Sequence, residues 1–378
     1  MSSLNELIES LIKIADDPIH QINEAKNNGE KIIGCVPYFA PVELVHAAGM
    51  RPIEIWGGGT QTSAAGSYYP AFYCSVLFTL MENALDGKYD NLSGVIIPTT
   101  CDGLRNLEEN WKFALPDSIV MDFVQPAARD TRESRDYMVG QLKYLAKNLE
   151  KISGKKITER AIRNSINLYN RQRKIMRDFS EISADHADVI TPKIRKAIFA
   201  AARTMPVEQH IDMVSRINNE LNKRPPYIFS GIKIILTGIL VDSDFILNEF
   251  SKNDIAIVGD LTISESIRFN TDVPGRIDPF ISLAEYWKNI EGASVALDPS
   301  KKRGLLLRNL VEQRKADGII ACVVKFCEEE EFDIPVLTKI FAKQKIPFLV
   351  LEVESQDSPN EQISTRIEAF AEMLKSTR

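Results

Sequence analysis

Five cysteines, Cys35, Cys74, Cys101, Cys322 and Cys327, are the side chains of this sequence best suited to hold a soft metal. Three of them share a setting. Cys327 follows the apolar run Gly318-Ile319-Ile320-Ala321 and its continuation to Val324, and precedes four glutamates, Glu328 to Glu331. Cys101 follows Val95-Ile96-Ile97-Pro98 and precedes Asp102. Cys74 follows, less cleanly, Tyr68-Tyr69-Pro70-Ala71-Phe72-Tyr73 and precedes Ser75. A buried parallel strand delivers the residues after it to the crevice where open α/β sheets place ligands. Thiols far apart in sequence can therefore converge on one metal or cluster in the fold. Their wide spacing matches no compact ferredoxin run, and Cys322-x4-Cys327 is no zinc motif. Isolated cysteines are also commonly buried as small hydrophobes, so the residues alone leave both readings open.

The other candidates carry less. Glu330 and Glu331 read as a solvated helix start, because acids favour a helix N-terminus. Glu328 and Asp333 are near enough in sequence to Cys327 to support it from behind. His20, His46, His186 and His210 are scattered over helical stretches without metal-pair spacing and read as structural. Thr237-Gly238-Ile239-Leu240 lacks the glycine pattern of a dinucleotide site, and there is no phosphate-cradling GxxxxGK[ST]. The chain is thus not expected to bind NAD or to hydrolyse ATP itself.

A net charge of −6 and a pI near 5.5 argue against a nucleic-acid surface. The N-terminus has no basic and apolar leader, and no run approaches the roughly 18 apolar residues of a membrane span. A cytoplasmic location with reduced thiols is expected, and five cysteines cannot all pair with one another.

The elements that must position these residues are readable from hydrophobic pattern. At 378 residues the chain is long enough for two or three domains. Leu4 to Lys26 predicts an N-terminal helix. Strand-like runs at 31–35, 51–56, 92–98 and 119–123 alternate with helical stretches, including Ser75 to Leu85. Arg132 to about Leu221 has long helical periods and no strand-like run, and Lys223-Arg224-Pro225-Pro226 breaks it. Further strand-like runs at 233–238, 254–258, 318–324 and 347–353 form a second α/β segment. The expectation is an α/β protein with two Rossmann-like parallel-sheet lobes and a helical segment between them. Its divisions are 1–131, an N-terminal helix plus the first α/β domain; 132–226, helical; and 227–378, the second α/β domain. Gly57-Gly58-Gly59 is either a turn or a place where backbone approaches a ligand.

Residues Gly34-Cys35-Val36-Pro37-Tyr38-Phe39-Ala40-Pro41 through His46-Ala47-Ala48-Gly49-Met50, with Ile55-Trp56-Gly57, resemble the opening of the 2-hydroxyacyl-CoA dehydratase family, which includes benzoyl-CoA reductase subunits. The resemblance continues through Pro70 to Ser75, Tyr89 to Ile96, Cys101-Asp102, Leu236 to Leu240, Asp272-Val273-Pro274 and Lys325-Phe326-Cys327, nearly the whole chain in order. Length and the Ile-Trp-Gly-Gly stretch look most like the β subunit of an (R)-2-hydroxyacyl-CoA dehydratase. That resemblance implies a [4Fe-4S] cluster held on three cysteines, which fall on Cys74, Cys101 and Cys327; Cys35 and Cys322 lie outside the ligand motifs. Where the family pattern often has Asp-Pro-Glu-Glu after the third cysteine, this chain has four glutamates.

The same resemblance implies a lyase working as one subunit of a heterodimer with a homologous α subunit. A separate ATP-dependent iron-sulfur activator delivers one electron, and the substrate is an (R)-2-hydroxyacyl-CoA in anaerobic amino-acid fermentation. It also explains the cofactor. The β-proton of a 2-hydroxyacyl thioester is acidified by no neighbouring carbonyl, beyond the reach of ordinary base catalysis near neutral pH. One-electron reduction of the thioester carbonyl gives a ketyl radical that expels the α-hydroxyl; the β-proton then becomes acidic, and syn-elimination yields the 2-enoyl-CoA. No acid or base is assigned to this chain. The alternatives are a subunit of a benzoyl-CoA reductase-type enzyme and a non-dehydratase iron-sulfur redox protein of the same family.

Overall fold

Strands buried on both faces read as continuous Ile and Val runs, and such runs build parallel sheets. The computed structural model describes residues 3–37, 39–355 and 359–377. Met1, Ser2 and Tyr38, the last within the opening motif, lie outside those residues. Among the described residues, β1 (Ile32–Cys35), β2 (Arg51–Glu54), β3 (Gly94–Pro98) and β4 (Val120–Phe123) form one parallel sheet in the order β2-β1-β3-β4. The strands β5 (Ile232–Gly238), β6 (Ile255–Thr262), β7 (Gly318–Val324) and β8 (Phe348–Val353) form a second parallel sheet in the order β6-β5-β7-β8. The two orders are the same once renumbered. The expected pair of parallel-sheet lobes is therefore present, and the two are topological copies.

Between β4 and β5 run four helices, Arg132–Ser153, Glu159–Ser183, Pro192–Ala201 and Val207–Asn222. Three of them start with a threonine cap, Thr131, Thr158 or Thr191, whose hydroxyl accepts an amide of the first turn. The N-terminal stretch differs from expectation: it is two helices, Leu4–Asp16 and Pro18–Asn27. Asp17 caps the second by accepting from the His20 amide, and Pro18 takes the first helical position, where its missing N–H costs nothing. Leu7 and Leu11 of the first helix pack with Met176, Phe179 and Phe199 of the interlobe helices.

One apolar cluster joins the two sheets, from Ile33 and Ile96 to Ile235 and Ile320, all with no exposed surface. Each such side chain contributes about 1.5–3 kcal/mol by leaving water. Ion pairs add direction: Glu54 at the end of β2 pairs across the lobes with Arg268, and Glu43 pairs with Arg173 of the interlobe helices inside the protein. No described helix is long and apolar enough to cross a membrane.

Candidate metal centre

In both sheets the chain leaves the two middle strands toward opposite sides, which opens a crevice at their carboxyl ends. The crevices lie between β1 and β3 and between β5 and β7. Gly238 ends β5 with φ +145°, and a Cβ there would stand 2.2 Å from the Cys322 carbonyl oxygen, so only glycine lets β5 and β7 approach this closely. Cys101 is the third residue past β3 and Cys327 the third past β7. Each is the N-cap of the helix that follows, Asp102–Ala114 and Glu328–Gln344. Cys74 is likewise the N-cap of helix Ser75–Leu85.

Cysteine is not among the residues that cap helices well, and Ser or Asp at such a position is worth about 1 kcal/mol over an apolar residue. Three thiols at three caps therefore point to chemistry rather than helix stability. The position suits an anionic sulfur: the helix N-terminus is positively polarised and its first amides are free. The Leu104 amide donates to Cys101 Sγ at 3.4 Å. The amides of Leu77 and Val76 favour an ionised Cys74, and that of Glu330 an ionised Cys327.

Burial works the other way. It pushes the Cys74 thiol up to about 11 and raises Cys101 and Cys327 well above the ordinary range, with nearby negative groups adding to it. Without a cation these thiols stay protonated; a bound metal reverses the balance by ionising its ligands. Charge on Cys74 bears on both Cys101 and Cys327, so the fold brings all three within electrostatic reach, one from each of two helices in the first lobe and one from the second. Among the described residues no three Cys, His, Asp or Glu side chains stand close enough to hold a single ion. That requirement is strict, since donors around one zinc-sized ion lie within about 4 Å of each other. Thiolates on separate irons of a cube stand further apart, and soft, buried sulfurs at helix N-termini are the donor chemistry that iron of such a cube takes. Cys35 and Cys322 lie inside β1 and β7, fully buried, away from the caps.

Two devices hold the caps in place. Gly57, first of the three glycines, has φ +76°, and a Cβ there would strike Thr79 of helix Ser75–Leu85 at 2.1 Å. The Gly59 amide donates to Ser355 O at 3.1 Å, and the Ser355 amide donates to Ser75 Oγ at 2.8 Å. The triple glycine is thus a close-packed turn that seats the Cys74 helix and ties it to the loop after β8. In the second lobe, Arg303 is buried, donates to Glu330 Oε1 at 2.9 Å and Thr237 Oγ1 at 2.9 Å, and reaches Asp333 at 3.4 Å. It pins the start of helix Glu328–Gln344 to β5.

This overturns the expected roles of the acids around Cys327. Glu330 is not solvated but fully buried against Arg303, whereas Glu331 is exposed in the first helical turn as expected. Glu328 is exposed, and Asp333 is occupied by Lys301 at 2.7 Å. The carboxylates that bear on Cys327 are Glu330 and Glu329 instead, because the helix begins at Glu328 and its second and third residues face the cap. Glu329 Oε2 lies 3.7 Å from Cys327 Sγ, and burial, followed by Glu328 and Asp102, holds its carboxyl above the usual range. Just before Cys327, Phe326 makes the turn with φ 62°, a left-handed backbone costing a bulky residue about 1–3 kcal/mol. Pattern reasoning missed Arg303 and Ser355; neither has a local motif, and only their partners mark them.

Residues 37–374 match the family described as 2-hydroxyglutaryl-CoA dehydratase, D-component. The chain belongs to that family. The matched region holds all three cysteine caps, the whole second sheet and every strand of the first except β1. The chain is 38% identical over 99% of its length to all of the (R)-phenyllactyl-CoA dehydratase beta subunit of Clostridium sporogenes. It is 36% identical over 99% of its length to all of the lactoyl-CoA dehydratase subunit beta of Anaerotignum propionicum. To the (R)-2-hydroxyglutaryl-CoA dehydratase subunit beta of Acidaminococcus fermentans it is 32% identical over 98% of its length, again covering the whole relative. The resemblance read from the motifs therefore holds across the family's full length, and these dehydratase relatives are beta subunits.

Proposed function

We propose that this chain is the β subunit of an (R)-2-hydroxyacyl-CoA dehydratase and holds a [4Fe-4S] cluster on Cys74, Cys101 and Cys327. What supports the reading is that Cys74, Cys101 and Cys327 each cap a helix and lie within electrostatic reach of one another, in a chain whose full-length relatives are dehydratase β subunits. When bound, the cluster supplies a strongly reducing single electron for the substrate's thioester carbonyl. The chain's own work is to supply three desolvated sulfurs, to offset their charge with the amides of Leu77, Leu104 and Glu330, and to keep the caps rigid through Ser75–Ser355 and Arg303–Glu330. Low exposure and fixed dipoles reduce the reorganisation that electron transfer demands.

The substrate thioester, a homologous α subunit and an ATP-dependent activator complete the reaction in this reading. The ketyl radical of the substrate loses its α-hydroxyl and then a β-proton to give the 2-enoyl-CoA, after which the electron is recovered. Phe72, two residues before Cys74, and Phe326, just before Cys327, are exposed aromatic rings of the kind a partner subunit covers. All five cysteines are free, in keeping with a reducing cytoplasm.

The test uses anaerobically purified heterodimer with activator, ATP, a reductant and candidate (R)-2-hydroxyacyl-CoA thioesters. Many product molecules per electron supplied are expected. Reductant consumed in step with product would replace this reading with a benzoyl-CoA reductase-type one. Absence of iron and acid-labile sulfide from the chain would remove both.

A further inference from the structure

At the amino ends of β1 and β2, the strand ends opposite to those that lead to the capping thiols, lies a cavity of about 550 Å³. Lys31 stands just before β1, Arg51 opens β2, and Lys155 follows helix Arg132–Ser153; all three line it. Two carboxylates face them, and neither cancels the charge. Glu208 lies 3.5 Å from His46 Nε2. Glu30 lies 2.9 Å from Arg51 Nε, yet among the described residues that N–H has no hydrogen-bond acceptor, so the pair is one of contact rather than alignment. Lys31 Nζ donates to the Ile152 carbonyl at 2.6 Å, a neutral partner that leaves its charge in place. Beside Lys155, Glu150 is taken up by Lys156 at 2.9 Å and by the Ile157 amide at 2.9 Å. Lys155 is thus left to the cavity, with its amide held by Ser153 Oγ at 3.2 Å and its Nζ 4.0 Å from where a Cβ on Gly49 would be. Helix Val207–Asn222 begins in the same lining, and its cap Pro206 supplies no side-chain acceptor, so the positive end of its dipole adds to the field. Met50, Met205 and Val207 give the lining an apolar part.

We propose that this cavity binds a small phosphomonoester, with its phosphate on Lys31, Arg51 and Lys155 and its organic body on Met50, Met205 and Val207. The inference does not rest on the iron-sulfur reading above. A walled hollow with excess positive charge concentrates anions even on a chain of net charge −6. Phosphate suits these donors because its several oxygens accept from a guanidinium and from ammonium groups at once. The volume is of the size that holds a whole small organic molecule rather than a bare oxyanion, and the apolar part of the lining gives that molecule's body a place.

Calorimetric titration of the full, anaerobically purified chain with inorganic phosphate, adenosine monophosphate and glycerol 3-phosphate tests this. Inorganic phosphate is expected to bind at one site per chain, and at least one of the two esters to bind more tightly. Lys155→Glu, an exposed position, should weaken phosphate about tenfold or more. Lys156→Glu, next along the chain but outside the lining, should leave it unchanged. No binding of millimolar phosphate, or equal loss in both variants, would overturn the site. Esters that bind no more tightly than phosphate itself would overturn the organic half of the proposal and assign the cavity to the free ion.

Discussion

The two lobes share a strand order and a capping cysteine at the same place, yet they treat the residues after that cysteine differently. Two positions on from Cys101 is Gly103, where a Cβ would meet a Leu77 methyl at 2.6 Å and Cys101 Sγ at 3.7 Å. Two positions on from Cys327 is Glu329, carrying a carboxylate toward the same site. Three positions on, the first lobe has Leu104, buried in the apolar core, and the second has Glu330, buried on Arg303. One scaffold thus delivers a thiol backed by hydrocarbon and another backed by an ion pair. The first lobe adds Cys74, while the turn after β6 offers Ser264, Glu265 and Ser266 with no thiol. Duplicated topology explains why Cys101 and Cys327 hold equivalent caps; divergence of the residues behind them explains how their charge is managed.

The largest effect expected bears on the thiols themselves. Cys101→Ser and Cys327→Ser, one from each lobe, should each cut bound iron from about four per chain to below about one, measured chemically after anaerobic purification. Cys35→Ser should barely change it, and equal loss from Cys35→Ser would remove the equivalence of the two caps.

The next prediction separates the lobes. Arg303→Met leaves the Glu330 carboxylate buried without its cation and should cost about 3–5 kcal/mol in denaturant unfolding. The double variant Arg303→Met with Glu330→Leu should recover most of that loss, since an apolar replacement of the whole pair is close to neutral. Leu104→Ala, the corresponding probe in the first lobe, should cost about 2–5 kcal/mol with no such rescue. A double variant as unstable as the single one would mean that the two caps are backed alike.

The helices between the lobes serve as a control, because they carry a buried histidine, His210, whose shift owes nothing to the thiols. Burial lowers His210 to about 4, and the ring lies between Gln172 Nε2 at 3.1 Å and Ile198 O at 3.2 Å. The folded protein therefore binds fewer protons than the unfolded chain between pH 6.5 and about 4. The stability this confers is complete above 6.5 and is lost as pH falls, up to about 3 kcal/mol in all. His210→Gln should flatten that part of the stability profile without altering iron content. A profile unchanged by the substitution would assign the acid sensitivity to the lobes.

The smallest effect concerns the clamp between the lobes. Ser75→Ala removes the acceptor for the Ser355 amide and should cost about 1 kcal/mol, seen as faster amide exchange at Ser355 with iron retained. Exchange at Ser355 no faster than in wild type would show that the triple-glycine turn alone seats the Cys74 helix.

Much of this was legible in the chain before folding. Apolar runs ending in turns located all eight strands of the described fold, and the cysteines after β3 and β7 stood out because a strand exit is a local pattern. Boundaries moved by a residue or two at most strands, and one expected helix became two at Pro18. Of the acids after Cys327, Glu331 was read rightly and Glu330 was misjudged for a definite reason. Four identical residues in a row carry no information about which way each faces, and a helix start turns each by about 100° from the last.

By itself the sequence determined the α/β alternation, the acidic surface, the three strand-exit thiols and the family, because these depend on residue type and on neighbours within a few positions. Only the tertiary structure decided that the lobes are topological copies, that all three thiols cap helices, and that Glu330 belongs to Arg303 while Glu329 faces Cys327. Burial and pairing at long range set those outcomes. Arg303 lies 27 residues from Glu330, and Ser355 lies 280 from Ser75. No local pattern encodes a partner at that distance; the free energy of excluding charge from water selects it only once the chain has closed.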